Sequence, residues 1–341
     1  MNDPKQHSIS IKEVLSARKV VNQFLRPTAL THYPGLSSVI GAQVYVKHEN
    51  HQPTGVFKIR GGINLVHNLR QLGSSGILTI PPGPERPTIG NSNGSILTAA
   101  HWLGLKSVVV VPVSTNPVKI KAFRAIGAEV VTAGETPEDC QAAAEQLCRQ
   151  QGYYHASTCD EPLLINGVGT GFLEIVEDLP DIDVMIVPLG GGTEAAAAIS
   201  TLRVVRPDVE IIAVQAEKSP AAWLSWKEGR MVEAESTSIA SGIALGKAFR
   251  IPFEIYKDGL SDFILLSDEE IYDGIGLAWY YTHNLAESAG AVTVAAALKL
   301  RQRLAGKKVV LQMSGGNAPV EEIMEAIKRR TFSEGYKMDF P

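Results

Sequence analysis

Short apolar runs rich in β-branched residues alternate with segments of helical composition along most of this chain. The runs, two of them continuing into glycine turns, occupy residues 43–47, 76–80, 107–112, 129–134, 183–192, 210–215 and 308–317. Continuous apolar runs of this length predict strands that are buried on both faces. The segment from Thr136 to Gln150 is rich in Ala, Glu and Gln and predicts a helix, with Pro137 in its first turn. This alternation predicts parallel sheets with right-handed crossovers, which is an α/β architecture.

The length of the chain, 341 residues, suits two domains better than one. No sequence repeat or long linker marks a boundary between them. The block 70–160 contains its own strand and helix alternation. We therefore expect this block to form a smaller domain inserted into a larger one, which is made of residues 1–69 and 161–341.

Composition and charge exclude several classes of protein. The net charge is −4 and the basic residues are scattered, so no nucleic-acid partner is expected. No stretch approaches the roughly 18 apolar residues of a membrane span, and the N-terminus lacks the apolar core of a signal peptide. Three cysteines without CxxC spacing predict neither disulfides nor zinc, and they favour a reducing compartment such as the cytoplasm.

A triglycine turn lies between a predicted strand and an Ala-rich helix. It consists of Gly190, Gly191, Gly192 and Thr193. Ligands of α/β sheets bind beyond the carboxyl ends of the strands, and a glycine turn at a helix N-terminus suits a phosphate. A tight turn without a ligand is the alternative. The dinucleotide and P-loop glycine patterns do not follow a suitable strand, so a phosphate here would belong to another cofactor.

Lys58 lies among apolar residues and glycines between Pro53 and Gly62. An apolar environment disfavours the charged form of a lysine, lowers its pKa and makes it both a nucleophile toward aldehydes and a base. The alternative is a surface lysine whose stem lies along apolar side chains while its ammonium group stays in water.

Two further polar segments occupy turns where chemistry is expected. Ser314 to Asn317 follows the last apolar run, where a hydroxyl could meet a ring nitrogen or cap the next helix. Thr88 to Ser95 precedes a helical run, and its small polar side chains favour capping over the binding of a substrate carboxylate.

Four motifs together resemble the fold type II pyridoxal-phosphate (PLP) enzymes of the serine/threonine dehydratase and serine racemase branch. They are KHENHQPTGVFKIRGG at 47–62, PLGGGTEA at 188–195, TSIASGIALG at 237–246 and MSGGN at 313–317. The resemblance implies a two-domain fold like the tryptophan synthase β-subunit, with a mostly parallel sheet flanked by helices in each domain. It also implies that the larger domain binds PLP, that the smaller faces the substrate, and that the protein is a homodimer.

The same resemblance implies a role for each site residue. Lys58 would hold PLP as a Schiff base and later take the Cα proton, while Phe57 would lie against the cofactor ring. Asn91 would bond the ring hydroxyl and Ser314 the ring nitrogen. The remaining expected residues are Gly190, Gly191, Gly192 and Thr193 at the phosphate, Gly242 and Glu287 lining the site, and Thr88, Ile89, Gly90, Asn91 and Ser92 at the substrate.

The activity that the resemblance implies is that of a PLP-dependent ammonia-lyase of the threonine/serine dehydratase type. It would act by α,β-elimination on a β-hydroxy amino acid and give a 2-oxo acid and ammonia. A serine at the ring nitrogen supplies no negative charge, so the ring is a weaker electron sink and elimination is favoured over longer-lived carbanions. The alternatives are a lyase or β-replacement enzyme on another β-substituted amino acid, a decayed protein that only binds PLP or an amino acid, and a nucleotide-binding protein without PLP.

The chain departs from the family pattern where the substrate would bind. The family's S-x-G-N-H-x-Q is here TIGNSNG at 88–94, without the histidine and glutamine, and a Pro-rich segment precedes it at 81–87. These changes point to a β-hydroxy amino acid other than plain serine or threonine. Ile89, near the place of the racemase's second base, disfavours racemisation. Gln215 and Ala221 replace acidic cation ligands of some members, so no metal is expected.

Overall fold

The computed structural model describes residues 7–81 and 90–329, and this part of the chain contains ten strands and fourteen α-helices. The strands are β1 (Leu30–His32), β2 (Gln43–His48), β3 (Ile77–Thr79), β4 (Ser107–Val111), β5 (Glu129–Thr132), β6 (Tyr154–His155), β7 (Val184–Pro188), β8 (Glu210–Ala216), β9 (Asp262–Leu266) and β10 (Lys308–Met313). The helices are α1 (Ile11–Val21), α2 (Pro34–Ile40), α3 (Ile59–Gln71), α4 (Asn91–Leu103), α5 (Pro117–Ala125), α6 (Pro137–Gln151), α7 (Pro162–Asp178), α8 (Thr193–Val205), α9 (Ala221–Glu228), α10 (Arg250–Gly259), α11 (Asp268–Thr282), α12 (Ser288–Lys299), α13 (Arg301–Leu304) and α14 (Val320–Arg329). Each predicted strand is present.

The chain divides into two compact units. Residues 1–26 and 58–170 form one, here called the four-strand unit, and residues 27–57 and 171–341 form the six-strand unit. The four-strand unit contains all of the block 70–160 but extends beyond it. The reason is that α1, α3 and the start of α7 share one apolar core with α4, through side chains such as Val21, Ile63, Ala99 and Leu163.

The six-strand unit has a sheet in the order β1-β2-β10-β7-β8-β9. Its strands are parallel except β1, which pairs with β2 in the antiparallel sense. Every residue of β7 is buried, as expected for a strand covered on both faces. Met313 at the end of β10 pairs with His48 at the end of β2, so the turns that follow these strands begin at one edge of the sheet.

The four-strand unit has a wholly parallel sheet in the order β5-β4-β3-β6. β4 is buried throughout, but β5 is only partly covered, so the expectation of burial on both faces is wrong for this run. β5 is the edge strand and has a neighbour on one side only. The helix predicted from Thr136 is confirmed as α6, where the Thr136 and Asp139 side chains form a capping box.

Small side chains bring helices close to the larger sheet. α12 presents a run of buried alanines and valines, and α8 is buried from Thr193 to Ile199. Each large apolar side chain buried in these cores contributes about 1.5–3 kcal/mol. None of the helices described between residues 7 and 329 is both long and apolar enough to cross a membrane.

Candidate active site

Glycine turns at the carboxyl edge of the larger sheet pack backbone against backbone. A Cβ on Gly190 would collide with the carbonyl oxygen of Gly242. A Cβ on Gly242 would come within 2.6 Å of the Ala289 methyl group, and one on Gly290 would collide with the Gly315 carbonyl. No side chain fits at these glycines, so the chain segments they belong to are held at fixed separations.

The triglycine turn is followed by a helix, as predicted. α8 begins at Thr193, and Gly192 occupies its N-cap in the left-handed region, with φ of 85° and no side-chain cap. The first hydrogen bond of the helix runs from the Ala196 N–H to the Gly192 carbonyl, at 2.8 Å. The N–H groups before it have no acceptor inside the helix, and together with the helix dipole they favour an anion.

The segment before Lys58 is bound to the turn that carries Ser314. The Phe57 N–H donates to the Ser314 carbonyl at 3.0 Å, and the Gly316 N–H donates to the Gly55 carbonyl at 2.9 Å. Val56 and Gly315 thereby form an isolated antiparallel bridge. This pairing, which we call the lysine clamp, consists of residues 55–57 and 314–316.

The lysine clamp fixes where the next residue of the chain begins. Lys58 is that residue, its Cα about 3.8 Å from that of Phe57. It stands at the N-cap of α3, with a half-buried side chain between the buried Phe57 and Ile59. A half-buried side chain fits both interpretations, so the role of Lys58 stays a prediction.

Ser314 is buried, with 3% of its surface exposed. Its hydroxyl donates to the Ala289 carbonyl at 3.2 Å, and α14 starts only at Val320, so Ser314 does not cap that helix. Asn317 donates to the Thr54 carbonyl at 3.0 Å and stabilises the lysine clamp instead. The lone pairs of the serine oxygen remain available to a donor, and rotation of the hydroxyl would let it donate elsewhere.

Glu287 completes the group of predicted residues in the six-strand unit. It is 7% exposed and precedes α12, and its N–H donates to the Gly315 carbonyl at 3.2 Å. The unit thus brings together Phe57, Gly190 to Thr193, Gly242, Glu287 and Ser314 at the turns beyond one edge of its sheet. Their individual roles stay predictions.

Lys58, Gly90, Asn91 and Ser92 belong to the four-strand unit. α3 and α4 touch where a Cβ on Gly62 would come within 2.7 Å of the Ser95 carbonyl. Lys58 lies four residues before Gly62 and Asn91 four before Ser95, so both lie within about one helical turn of this contact.

The start of α4 differs from the expected capped helix. Its N-cap is Gly90, with φ of 74° and no side-chain cap, so the preference for a capping role is wrong at this end. Asn91 and Ser92 are instead half-buried residues of the first helical turn. Thr88 and Ile89, with most of the Pro-rich segment, lie outside the described residues.

A buried polar network lies at the end of β2, and the sequence analysis does not predict it. The Lys47 ammonium pairs with Glu174 at 2.7 Å and donates to the Thr28 carbonyl at 2.8 Å. The Thr28 hydroxyl in turn donates to Glu49 at 2.6 Å. Lys47 and Glu49 are both 0% exposed. Charged residues at the end of a buried strand were the only signal for this network, since their partners lie elsewhere in the sequence.

His48 lies next to this network and is 1% exposed. Its Nε2 is 2.9 Å from the Tyr33 hydroxyl, and its ring stacks on His51 at 4.8 Å between centroids. Burial, followed by the charge of His51, lowers the pKa of His48 to about 4, so the imidazole is neutral at neutral pH. The Asn284 carboxamide oxygen accepts from Asn50 at 3.2 Å and lies 2.5 Å from His51 Nε2.

The positions that correspond to cation ligands in some family members have other contacts here. Gln215 donates to the Ile243 carbonyl at 3.4 Å and accepts from the Trp223 N–H at 3.0 Å. Ala221 is buried at the start of α9. Within residues 7–81 and 90–329, no group of three or more His, Cys, Asp or Glu side chains could hold a metal ion.

The fold and the site define a class: an α/β protein with a backbone anion site at the start of α8 and a buried serine in the turn that pairs with residues 55–57, directly before Lys58. The residues fit PLP, because the uncapped start of α8 suits its phosphate and Lys58 suits its aldehyde. A family model described as pyridoxal-phosphate dependent enzyme matches residues 21–315. The chain belongs to this family, and the predicted cofactor is confirmed.

Relatives of known name agree with the predicted branch. An L-threonine ammonia-lyase of Thermotoga maritima is 33% identical over 341 residues, which cover 98% of this chain and 83% of the relative. An L-threonine ammonia-lyase of Geobacter sulfurreducens is 35% identical over 313 residues, 91% of this chain and 76% of the relative. The crystal structure of serine racemase from Dictyostelium discoideum superposes with a TM-score of 0.83 at 26% identity, covering 91% of this chain and 99% of the other. The predicted fold class and branch are confirmed.

Proposed function

We propose that this protein catalyses α,β-elimination from a β-hydroxy amino acid and releases a 2-oxo acid and ammonia. The lysine clamp carries the proposal, because it ties the segment directly before Lys58 to the turn that bears Ser314 through two hydrogen bonds of 3.0 and 2.9 Å. The two relatives named as threonine ammonia-lyases support the same reaction class.

Each candidate residue then has a defined task. The N–H groups at the start of α8 would hold the phosphate of PLP, and the buried Phe57 would contact its ring. When bound, PLP supplies the electron sink that makes the Cα proton of an amino acid removable. Lys58 would hold the cofactor until substrate arrives and would then take that proton as the general base.

Ser314 favours elimination over slower carbanion chemistry. Its hydroxyl is neutral and already hydrogen-bonded to the Ala289 carbonyl, so it supplies no negative charge to a ring nitrogen. A weaker electron sink favours reactions in which the β-group leaves as the Cα proton is removed. The hydroxyl of the substrate is such a β-group.

The substrate side of the site lies at the start of α4. We assign Thr88, Ile89, Gly90, Asn91 and Ser92 to the substrate, with Asn91 also reaching the ring hydroxyl. The uncapped N-terminus of α4 suits a substrate carboxylate. Because this segment lacks the family's histidine and glutamine, the preferred substrate is a β-hydroxy amino acid other than plain serine or threonine.

Compartment and assembly are part of the same proposal. We assign the enzyme to the cytoplasm, because an odd number of cysteines (Cys140, Cys148 and Cys159) without CxxC spacing suits a reducing compartment. We assign it a homodimeric state, which rests on the family resemblance alone.

The test is release of ammonia and 2-oxo acid by the PLP-loaded protein over a panel of β-hydroxy amino acids, with and without an added thiol. Wild type is expected to release both products, and Lys58→Ala to lose at least a thousandfold in turnover together with the visible absorbance of the lysine-bound cofactor. Lys121→Ala, an exposed lysine of α5, is the control and should match wild type. Undiminished turnover in Lys58→Ala rejects the assigned roles, and a thiol adduct without ammonia and 2-oxo acid would make the protein a β-replacement enzyme.

A further inference from the structure

The first turn of α12 contacts the turn that carries Ser314 and Gly315. The Ala289 carbonyl accepts the Ser314 hydroxyl at 3.2 Å, and the Gly315 carbonyl accepts the Glu287 N–H at 3.2 Å. Gly290 lies so close to Gly315 that a Cβ there would collide with the Gly315 carbonyl. A displacement of this turn would therefore move Ser314 and Gly315 together.

Glu322 of α14 holds this turn in place. Its carboxylate accepts the Ser288 N–H at 3.0 Å, and only 6% of the residue is exposed. Glu287 at the N-cap makes no side-chain capping bond, so Glu322 provides from another helix the contact that a cap would make. A carboxylate is also the charge that the positive end of the α12 dipole favours.

α14 itself is anchored at its other end. The Arg329 guanidinium pairs with Asp273 of α11 at 2.7 Å. The contact between Glu322 and Ser288 is therefore made by a helix fixed at two points about two turns apart. The family match ends at residue 315, so it assigns nothing to Glu322.

We propose that Glu322 is a positioning residue of the cofactor site, which fixes the first turn of α12 and through it the orientation of Ser314 and Glu287. The proposal rests on the cofactor site assigned above. It predicts that removing the charge of Glu322 changes how the bound cofactor is held, although Glu322 does not touch it.

The test compares Glu322→Gln with Glu321→Gln, its exposed neighbour in the same helical turn. Both variants keep an amide oxygen that can accept a hydrogen bond, and they differ in which carboxylate is neutralised. PLP affinity is measured by titrating the apoprotein, and the visible spectrum of the loaded protein is followed against pH. Glu322→Gln is expected to raise the dissociation constant of PLP about tenfold and to shift the midpoint of the spectral pH titration, as Ser314→Ala should also do. Glu321→Gln should change neither.

The proposal fails if Glu322→Gln binds PLP and titrates like wild type. It also fails if the variant lowers only the melting temperature of the apoprotein, because that is the effect of a structural contact. Arg329→Gln serves as the reference for such a contact, since it loosens the far end of α14 without touching α12. Should Glu322→Gln not fold, Glu322→Asp keeps the charge on a shorter side chain and should show a smaller change in the same two measurements. Neither measurement needs a substrate, so a lack of lyase activity would reject the proposed function and leave this test intact.

Discussion

The carboxyl edges of the two sheets are built in different ways. In the six-strand unit, Gly190, Gly242, Gly290 and Gly315 leave no room for a side chain between neighbouring segments. In the four-strand unit, Gly90 precedes α4, and among the described residues the nearest atom to an added Cβ is Asn93 Nδ2 at 3.9 Å. Close contacts at glycines fix the first edge, whereas the described residues around Gly90 leave room for a side chain. Cofactor binding should therefore tolerate almost no substitution, whereas the substrate side should tolerate many.

Placing one methyl group at each edge tests whether the two edges differ in their tolerance of a side chain. Gly190→Ala drives a Cβ into the Gly242 carbonyl, so PLP affinity should fall about a hundredfold, which is roughly 3 kcal/mol. Gly90→Ala meets no such obstacle among the described residues, but a φ of 74° with a ψ of 145° strains any residue other than glycine, so it should cost about 1–3 kcal/mol of unfolding free energy. Its PLP affinity should stay within threefold of wild type.

The control for these two variants is Gly229→Ala, which has a φ of 66° and no neighbouring atom within 4 Å. Because its ψ of 14° places it in the left-handed helical region, it should lose about 1 kcal/mol of unfolding free energy and keep wild-type PLP affinity. Titration of the apoprotein with PLP and urea unfolding measure the two quantities. Equal losses of PLP affinity in Gly190→Ala and Gly90→Ala would show that the two edges do not differ in the way described.

The pH dependence of stability gives a second test of the comparison, through the buried His48 of the six-strand unit. Its pKa falls from 6.5 to about 4 on folding, so the unfolded chain binds the proton more readily. The contribution of the neutral His48 to stability is complete above pH 6.5, declines as the pH falls from 6.5 to about 4, and is lost below about 4. The loss amounts to about 3 kcal/mol.

Urea unfolding of wild type and His48→Gln at pH 7, 6 and 5 measures this contribution. The variant should be less stable at pH 7 and show a shallower decline with acid. His67→Gln, in α3 of the four-strand unit, is the matched control, because burial lowers the pKa of His67 while its side chain remains half-exposed. An acid slope in His48→Gln as steep as that of wild type would contradict the role of His48.

The smallest expected effect is a gain in unfolding free energy, whereas the variants above lose it. Tyr256 is 1% exposed, and its ring lies 3.3 Å from where a Cβ of Gly192 would be. Burial raises the pKa of its hydroxyl, which finds no hydrogen-bond partner within the described residues. Tyr256→Phe should therefore raise the unfolding free energy by up to about 1 kcal/mol and leave PLP affinity unchanged. Thermal melting with PLP titration checks both, and a destabilised variant would show that the hydroxyl contributes a favourable contact.

Much of this arrangement could be predicted from local sequence. The central strands, the helix from Thr136 and the turn before α8 each depend on a continuous segment whose period, caps or glycines are visible in the chain. The edge strands β1 and β6 have only three and two residues, too few to show a period, and the five-residue edge strand β9 is also absent from the prediction. The partial exposure of β5 follows from its place in the sheet, which no local pattern contains.

The support of the site could not be predicted, for a physical reason. The ion pair of Lys47 with Glu174 joins residues 127 positions apart, and the bond from Ser288 to Glu322 crosses 34. Both depend on how separate elements pack, and a buried charge looks like an exposed one in the sequence. The glycine motifs, in contrast, are visible in the sequence and indicate where two backbone segments pack closely and where a ligand can bind.

The position of β10 has a consequence for biosynthesis. This strand is the last of those between residues 7 and 329 that the structure describes, yet it pairs with β2 on one side and β7 on the other, near the middle of the larger sheet. A growing polypeptide at the ribosome cannot join its early and late strands until residues beyond 313 have emerged. Capture of the vitamin-derived cofactor is therefore a late event, and a prematurely terminated product would be unable to retain it.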